Sequence, residues 1–121
     1  MPDIRKERCQ LIADSISAIN VYMQPIQSAK SFIESDEGSM RLDAITLRLQ
    51  VIGENVKQLE GLYPSFFDTD VPYDVSEIIR FRDFISHHYE KLDYQIIYET
   101  CISYLSDFHK AIDNYLQSFS A

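Results

Sequence analysis

Ile12, Ile16, Ile19, Met23 and Ile26 follow one another at steps of 4, 3, 4 and 3 residues. That spacing keeps returning to one face of a 3.6-residue helix, whereas a strand turns its side chains over at every second residue. Ile45, Leu49, Ile52, Val56 and Leu59 repeat the same steps, and Tyr94, Ile97, Cys101, Tyr104, Phe108 and Tyr115 form a third stripe. A sandwich or barrel of short strands would need a turn about every 8–12 residues. Three glycines and four prolines in 121 residues do not supply them. The chain is predicted to be all-helical.

Helix ends follow from the punctuation. Pro25 should stop the first helix near Met23, because it has no N–H and clashes with the preceding turn. "IQSAKSFIESDEGS" reads as a short helix and a polar loop closed by Gly38, and a second long helix starts at about Ser39. Gly53 falls inside that helix at a cost of up to about 1 kcal/mol relative to alanine, which points to a close helix–helix approach. "GLYPSFFDTDVPY" breaks the pattern with Gly61, Pro64 and Pro72 and should be the longest loop. Asp74 with Glu77 three residues later has the pattern of a capping box at the start of a third helix. Val75, Ile78, Ile79, Phe84 and Ile85 supply that helix's apolar contacts. A break is expected at Leu92-Asp93, with Asp93 capping the last helix. Residues 1–121 therefore make one domain, an antiparallel four-helix up-and-down bundle with a short accessory helix. Its heptad-like seams make a homodimer a reasonable expectation, two-fold pairs being the commonest oligomers.

The formal net charge of −8 argues against a broad nucleic-acid footprint and suits a basic protein partner. It leaves room for a local basic cleft, since Arg41 and Arg48 are seven residues apart and share a helix face. Cys9 and Cys101 have neither knuckle nor CxxC spacing and read as small core residues in a reducing compartment. "MPDIRKERCQ" lacks the apolar run of a signal peptide, and no stretch approaches the roughly 20 apolar residues of a membrane span. The expected location is the cytoplasm, with no membrane contact.

Chemistry concentrates in "RFRDFISHHYEKLD" and in Arg80 just before it. Asp83 and His87 are i, i+4 neighbours, and Arg82 and Tyr89 also share a face, but Arg82 and His87 diverge by roughly 140° on an ideal helix. They could serve one site if the arginine reaches around, if the helix distorts, or if two protomers contribute. Metal-free RNA cleavage needs one group to take the 2′-hydroxyl proton and one to protonate the leaving 5′-oxygen, and histidine suits either. An arginine can clamp the phosphate, and a carboxylate can orient the imidazole. From these residues alone, a capped helix end carrying ordinary ion pairs is the favoured reading. A His87–His88–Glu90–Asp93 metal site is disfavoured, because adjacent histidines on a helix point about 100° apart, and no cofactor is called for. Glu54 beside Gly53 could face the cleft, but a solvated helix carboxylate is the preferred reading.

Arg82, four residues, His87, His88, Tyr89 resembles the Arg-x4-His-x-Tyr signature of HEPN-domain proteins, specifically the HepT toxins paired with MntA-type nucleotidyltransferases. "LRLQVIGENVKQLEGLYP" is similar to that family's second helix, and "VSEIIRFRDFISHHYEKLDYQIIYE" to its third helix and the passage into the fourth. The resemblance runs from about residue 8 to the end and implies a HEPN-like helical homodimer, the ribonuclease toxin of a toxin–antitoxin system. It implies a composite cleft in which Arg82 binds phosphate, His87 is the general acid/base and Asp83 supports it. It further implies that a cognate MntA-like nucleotidyltransferase transfers AMP to Tyr89 and so blocks RNA. Arg80, Arg41, Arg48 and His88 are candidates for the RNA-binding rim. The rival expectation is a non-catalytic adaptor that presents nucleotide or substrate to that partner; a helical interaction domain with no site is a third.

Overall fold

The computed structural model describes residues 2–88 and 93–119, without the side chains of residues 86–88. Five α-helices follow one another: α1 (Arg5–Met23), α2 (Asp36–Leu62), α3 (Ser76–His88), α4 (Tyr94–Glu99) and α5 (Leu105–Gln117). No strand occurs among the described residues. Helix α4 continues through one π-helical turn, Thr100–Tyr104, into α5 without leaving helical dihedrals, so the two act as one rod. The expected all-helical bundle of four rods is what forms.

Neighbouring rods run antiparallel. Arg8 near the start of α1 reaches Asn55 near the end of α2, while Arg41 near the start of α2 donates to the Tyr22 carbonyl at the end of α1. Lys6 lies 5.5 Å from the Phe119 ring centroid, which brings the end of the last rod back to the start of the first. The core contains the periodic residues: Ile12, Ile16 and Ile19 of α1 and Ile45, Leu49, Ile52, Val56 and Leu59 of α2 are all at 0 % exposure. Each such aliphatic side chain contributes about 1.5–3 kcal/mol on burial. Buried Thr46, Asn55 and Thr100 satisfy themselves by donating to the carbonyl four residues back. Among the described residues no helix is long and apolar enough to cross a membrane.

Several helix boundaries match the sequence reading and three differ. Helix α1 stops at Met23, before Pro25, and Asp93 caps α4 by accepting from the N–H groups of Gln95 and Ile96. The accessory helix is a single 3-10 turn, Ala29–Phe32, which buries Phe32 edge-on to Tyr98. Helix α2 begins earlier than expected, at Asp36, because Ser35 Oγ accepts from Gly38 N–H and caps it. Gly38 therefore lies inside the first turn rather than closing a loop. It is tight there: a β-carbon at Gly38 would lie 2.0 Å from the Ser31 carbonyl oxygen.

The segment expected as the longest loop is partly ordered helix. Helix α2 runs through Gly61 to Leu62, and Phe66–Asp70 form a π-helical turn that buries Phe66 and Phe67. Two adjacent aromatic side chains gain more by joining Tyr115 and Phe108 in the core than the loop-like punctuation opposes. At the start of α3 Asp74 accepts from Ser76, through both its N–H and its Oγ, rather than pairing with Glu77 in a capping box.

Candidate functional site

Helices α2 and α3 touch at Gly53. A β-carbon built there would stand 2.3 Å from Arg82 Cβ, 2.7 Å from Arg82 Cγ and 3.5 Å from the Ile78 carbonyl oxygen. The absent side chain is what lets α3 lay Arg82 across α2, so the close approach expected of Gly53 is present. The arginine's stem covers the glycine and its guanidinium emerges at the edge, with 21 % of the side chain exposed.

Two carboxylates hold that guanidinium. Arg82 Nε donates to Glu54 Oε1 at 2.7 Å, a second terminal nitrogen meets the same oxygen, and Nη1 donates to Asp83 Oδ1 at 2.9 Å. Lys57 Nζ approaches Asp83 Oδ1 at 3.6 Å. The hydrogen bond from Arg82 is the main reason the Asp83 carboxyl lies below the usual carboxylate range, with Lys57 adding to it. Arg82 is in turn made harder to deprotonate by Asp83 and Glu54. The fork is held rigid at a solvent edge, the geometry that a phosphate oxygen pair needs, but a phosphate there has to compete with two carboxylates. Glu54, read from sequence as a solvated carboxylate, is an orienting partner; its position next to the close-approach glycine was the available signal.

Helix α3 is uninterrupted α-helix from Ser76 to His88, so helical distortion does not bring positions 82 and 87 together. On such a helix position 87 stands roughly 140° around from Arg82 and roughly 20° from Arg80. The His87 and His88 side chains lie outside the described residues, as does Tyr89 altogether.

The expected arginine rim does not assemble on one chain. Arg41 pairs with Glu37 at 2.9 Å and reaches the end of α1. Arg41 and Arg48 lie roughly 120–140° around α2 from Gly53, on the edge turned to α1, whereas Arg82 lies over Gly53 on the edge turned to α3. Arg80 is exposed on a groove of about 750 Å³ that it shares with Glu60, Asp68 and Asp74. Those carboxylates make this groove a poor phosphate site, despite its size. Among the described residues no three His, Cys, Asp or Glu side chains are grouped to hold a metal ion.

Helix α2 carries a second stripe facing away from the core. Met40 is 70 % and Leu47 60 % exposed, and Ala44 and Val51 continue the line at steps of 4, 3 and 4. The next positions on it are Glu54 and Gln58. An apolar strip thus runs along the outside of α2 and ends in the polar group that orients Arg82.

Among known protein families, the one described as "Ribonuclease HepT-like" matches residues 12–115. The match takes in α2, α3 and the whole contact between Gly53, Glu54 and Arg82. No curated protein and no solved structure matches the chain.

Proposed function

Because the chain belongs to the HepT-like ribonuclease family, we propose that it is a metal-independent endoribonuclease, the toxin of a toxin–antitoxin pair. The observation that carries this reading is Arg82, seated on Gly53 and oriented by Glu54 and Asp83 at a solvent edge. A guanidinium so held binds the non-bridging oxygens of a phosphodiester and stabilises the charge that builds on them. His87 takes the 2′-hydroxyl proton as the 2′-oxygen attacks the adjacent phosphorus. The bond to the 5′-oxygen breaks, and a protonated histidine delivers a proton to that leaving oxygen.

In this reading the site is composite. Arg82 and position 87 point away from each other on one helix, and the apolar outer stripe of α2 supports pairing with a second copy. The polar end of that stripe would then open into a cleft where Arg82 of one protomer meets His87 of its partner. Tyr89 is the off-switch: a cognate MntA-like nucleotidyltransferase moves AMP from ATP to its hydroxyl, with pyrophosphate leaving. The added charge and bulk repel RNA from the neighbouring arginine.

The test is cleavage of single-stranded RNA by purified protein in EDTA. Wild type cuts; Arg82→Ala and His87→Ala, folded by circular dichroism, do not. Cutting that survives both substitutions removes the assignment. Intact RNA beside ATP-dependent complex formation with the nucleotidyltransferase replaces it with the adaptor reading. Intact mass after co-expression with the nucleotidyltransferase shows whether Tyr89 gains AMP.

A further inference from the structure

Arg8 is held in an unusual way. On α1, it donates from Nη1 to Asn55 Oδ1 at 3.3 Å, while its Nε is buried with no hydrogen-bond partner. Asn55 is itself buried and fixed, its Nδ2 donating to the Val51 carbonyl at 2.8 Å. Arg5, Arg41 and Arg82 are each paired with a carboxylate, but among the described residues none pairs with Arg8. A neutral amide fixes the guanidinium and leaves its charge uncompensated. The buried Nε is beyond a ligand's reach; what an anion could meet is the guanidinium's uncompensated charge where Arg8 lines a groove.

Arg8 opens onto a groove of about 350 Å³ lined by Arg8, Val51, Glu54, Asn55, Lys57 and Gln58. This groove crosses the outer face of α2 from its α1 edge to its α3 edge. Its Glu54 is the residue that binds Arg82, and its Lys57 is the one near Asp83. Arg8, Lys57 and Arg82 therefore surround one strip of surface, three cations against the two carboxylates Glu54 and Asp83, on a protein that is acidic as a whole.

We propose that Arg8, with Lys57, binds a second phosphodiester of a single-stranded RNA whose scissile phosphate lies at Arg82. The strand crosses the polar end of the α2 outer face, and Asn55 holds the Arg8 guanidinium ready without neutralising it. Arg8 is then a binding residue that sets how the chain of phosphates enters the cleft. The inference rests on the ribonuclease reading and supplies its substrate path.

The experiment measures binding of a fluorescent 2′-O-methyl RNA, which lacks the attacking hydroxyl, across a range of sodium chloride concentrations. For single strands each neutralised phosphate contributes about 0.7 to the slope of log affinity against log salt. Arg8→Gln is expected to lose about tenfold in affinity at low salt, as a charged hydrogen bond implies, and about 0.7 of slope. Arg8→Lys should keep the slope and recover part of the affinity. Circular dichroism establishes that both variants are folded. Wild-type affinity and slope in Arg8→Gln overturn the inference. If Arg82→Ala is impaired in the same series, the ribonuclease reading survives that failure. A loss in Arg8→Gln beside an unaffected Arg82→Ala keeps Arg8 as a phosphate binder and removes the reading built on Arg82.

Discussion

Arg82 occupies the space that a side chain at Gly53 would need: a β-carbon there would lie 2.3 Å from Arg82 Cβ. The contact is with the base of the arginine, which is fixed to the α3 backbone, so the helices themselves would have to separate. Gly53→Ala gains up to about 1 kcal/mol of helix propensity and loses about 1–3 kcal/mol to overpacking. We expect a net loss of stability and, because α3 shifts, displacement of Arg82 from Glu54. Gly61→Ala is the control, since nothing lies within 4 Å of its added carbon. It should be neutral or stabilising by up to about 1 kcal/mol. Urea unfolding of the two variants checks the pair, and a Gly53→Ala protein as stable as Gly61→Ala would refute the contact.

That contact also shows what the sequence made legible. The 4-3-4-3 stripes identified the core, because helical periodicity is a one-dimensional pattern that any amphipathic helix must carry. A glycine where helix propensity disfavours it pointed to a close approach, but no periodicity names the residue on the other helix. The Glu54–Arg82 and Arg8–Asn55 contacts were not legible for the same reason: each depends on which side chain faces the other across an interface. The Phe66–Asp70 turn was hidden by the flanking Gly61, Pro64 and Pro72, whose local preference was overridden by burial of Phe66 and Phe67. Arg41 and Arg48 share a face, as their spacing says, but that face turns to α1 and not to Arg82.

Acid should weaken the fold partly through the Arg82 contact. The Asp83 carboxyl lies below its ordinary value of 3.8 because it accepts from Arg82 and, less strongly, because Lys57 is near. Asp74 is lowered by Ser76, and Asp3 still further by Arg5. A depressed folded-state value means that stability is fully present above the unfolded value and is lost as pH falls through the folded one. Melting temperature should therefore hold down to about pH 4 and drop below it. Asp83→Asn should begin lower at neutral pH and fall less between pH 4 and 2. An acid limb identical to wild type would show that Asp83 gains nothing from its partners in solution.

Both cysteines should resist modification in the folded protein. Burial pushes the Cys9 and Cys101 thiols up to about 12, so at pH 8 the thiolate fraction is on the order of 10⁻⁴. Ellman's reagent is expected to label neither cysteine until denaturant is added, and then both. Rapid labelling of native protein at either position would mean that the core around α1 or the Thr100–Tyr104 turn opens locally.

The composite site gives the sharpest test of the functional reading. If α2 pairs with its copy through Met40 and Leu47, Leu47→Asp should convert a dimer to a monomer by light scattering and abolish cleavage while Arg82 stays in place. A monomer that still cuts RNA would refute the shared cleft. The stronger version mixes two inactive proteins, Arg82→Ala and His87→Ala, under conditions that exchange subunits. Random exchange makes half of the dimers mixed, and in each of these one of the two clefts pairs an intact Arg82 with the partner's intact His87. About a quarter of wild-type activity should return, as two-fold symmetry with two shared sites requires. If Arg82 and His87 instead acted within one chain, no subunit in the mixture would carry both and none would return. Recovery therefore separates a site built by two protomers from one in which the arginine reaches around its own helix.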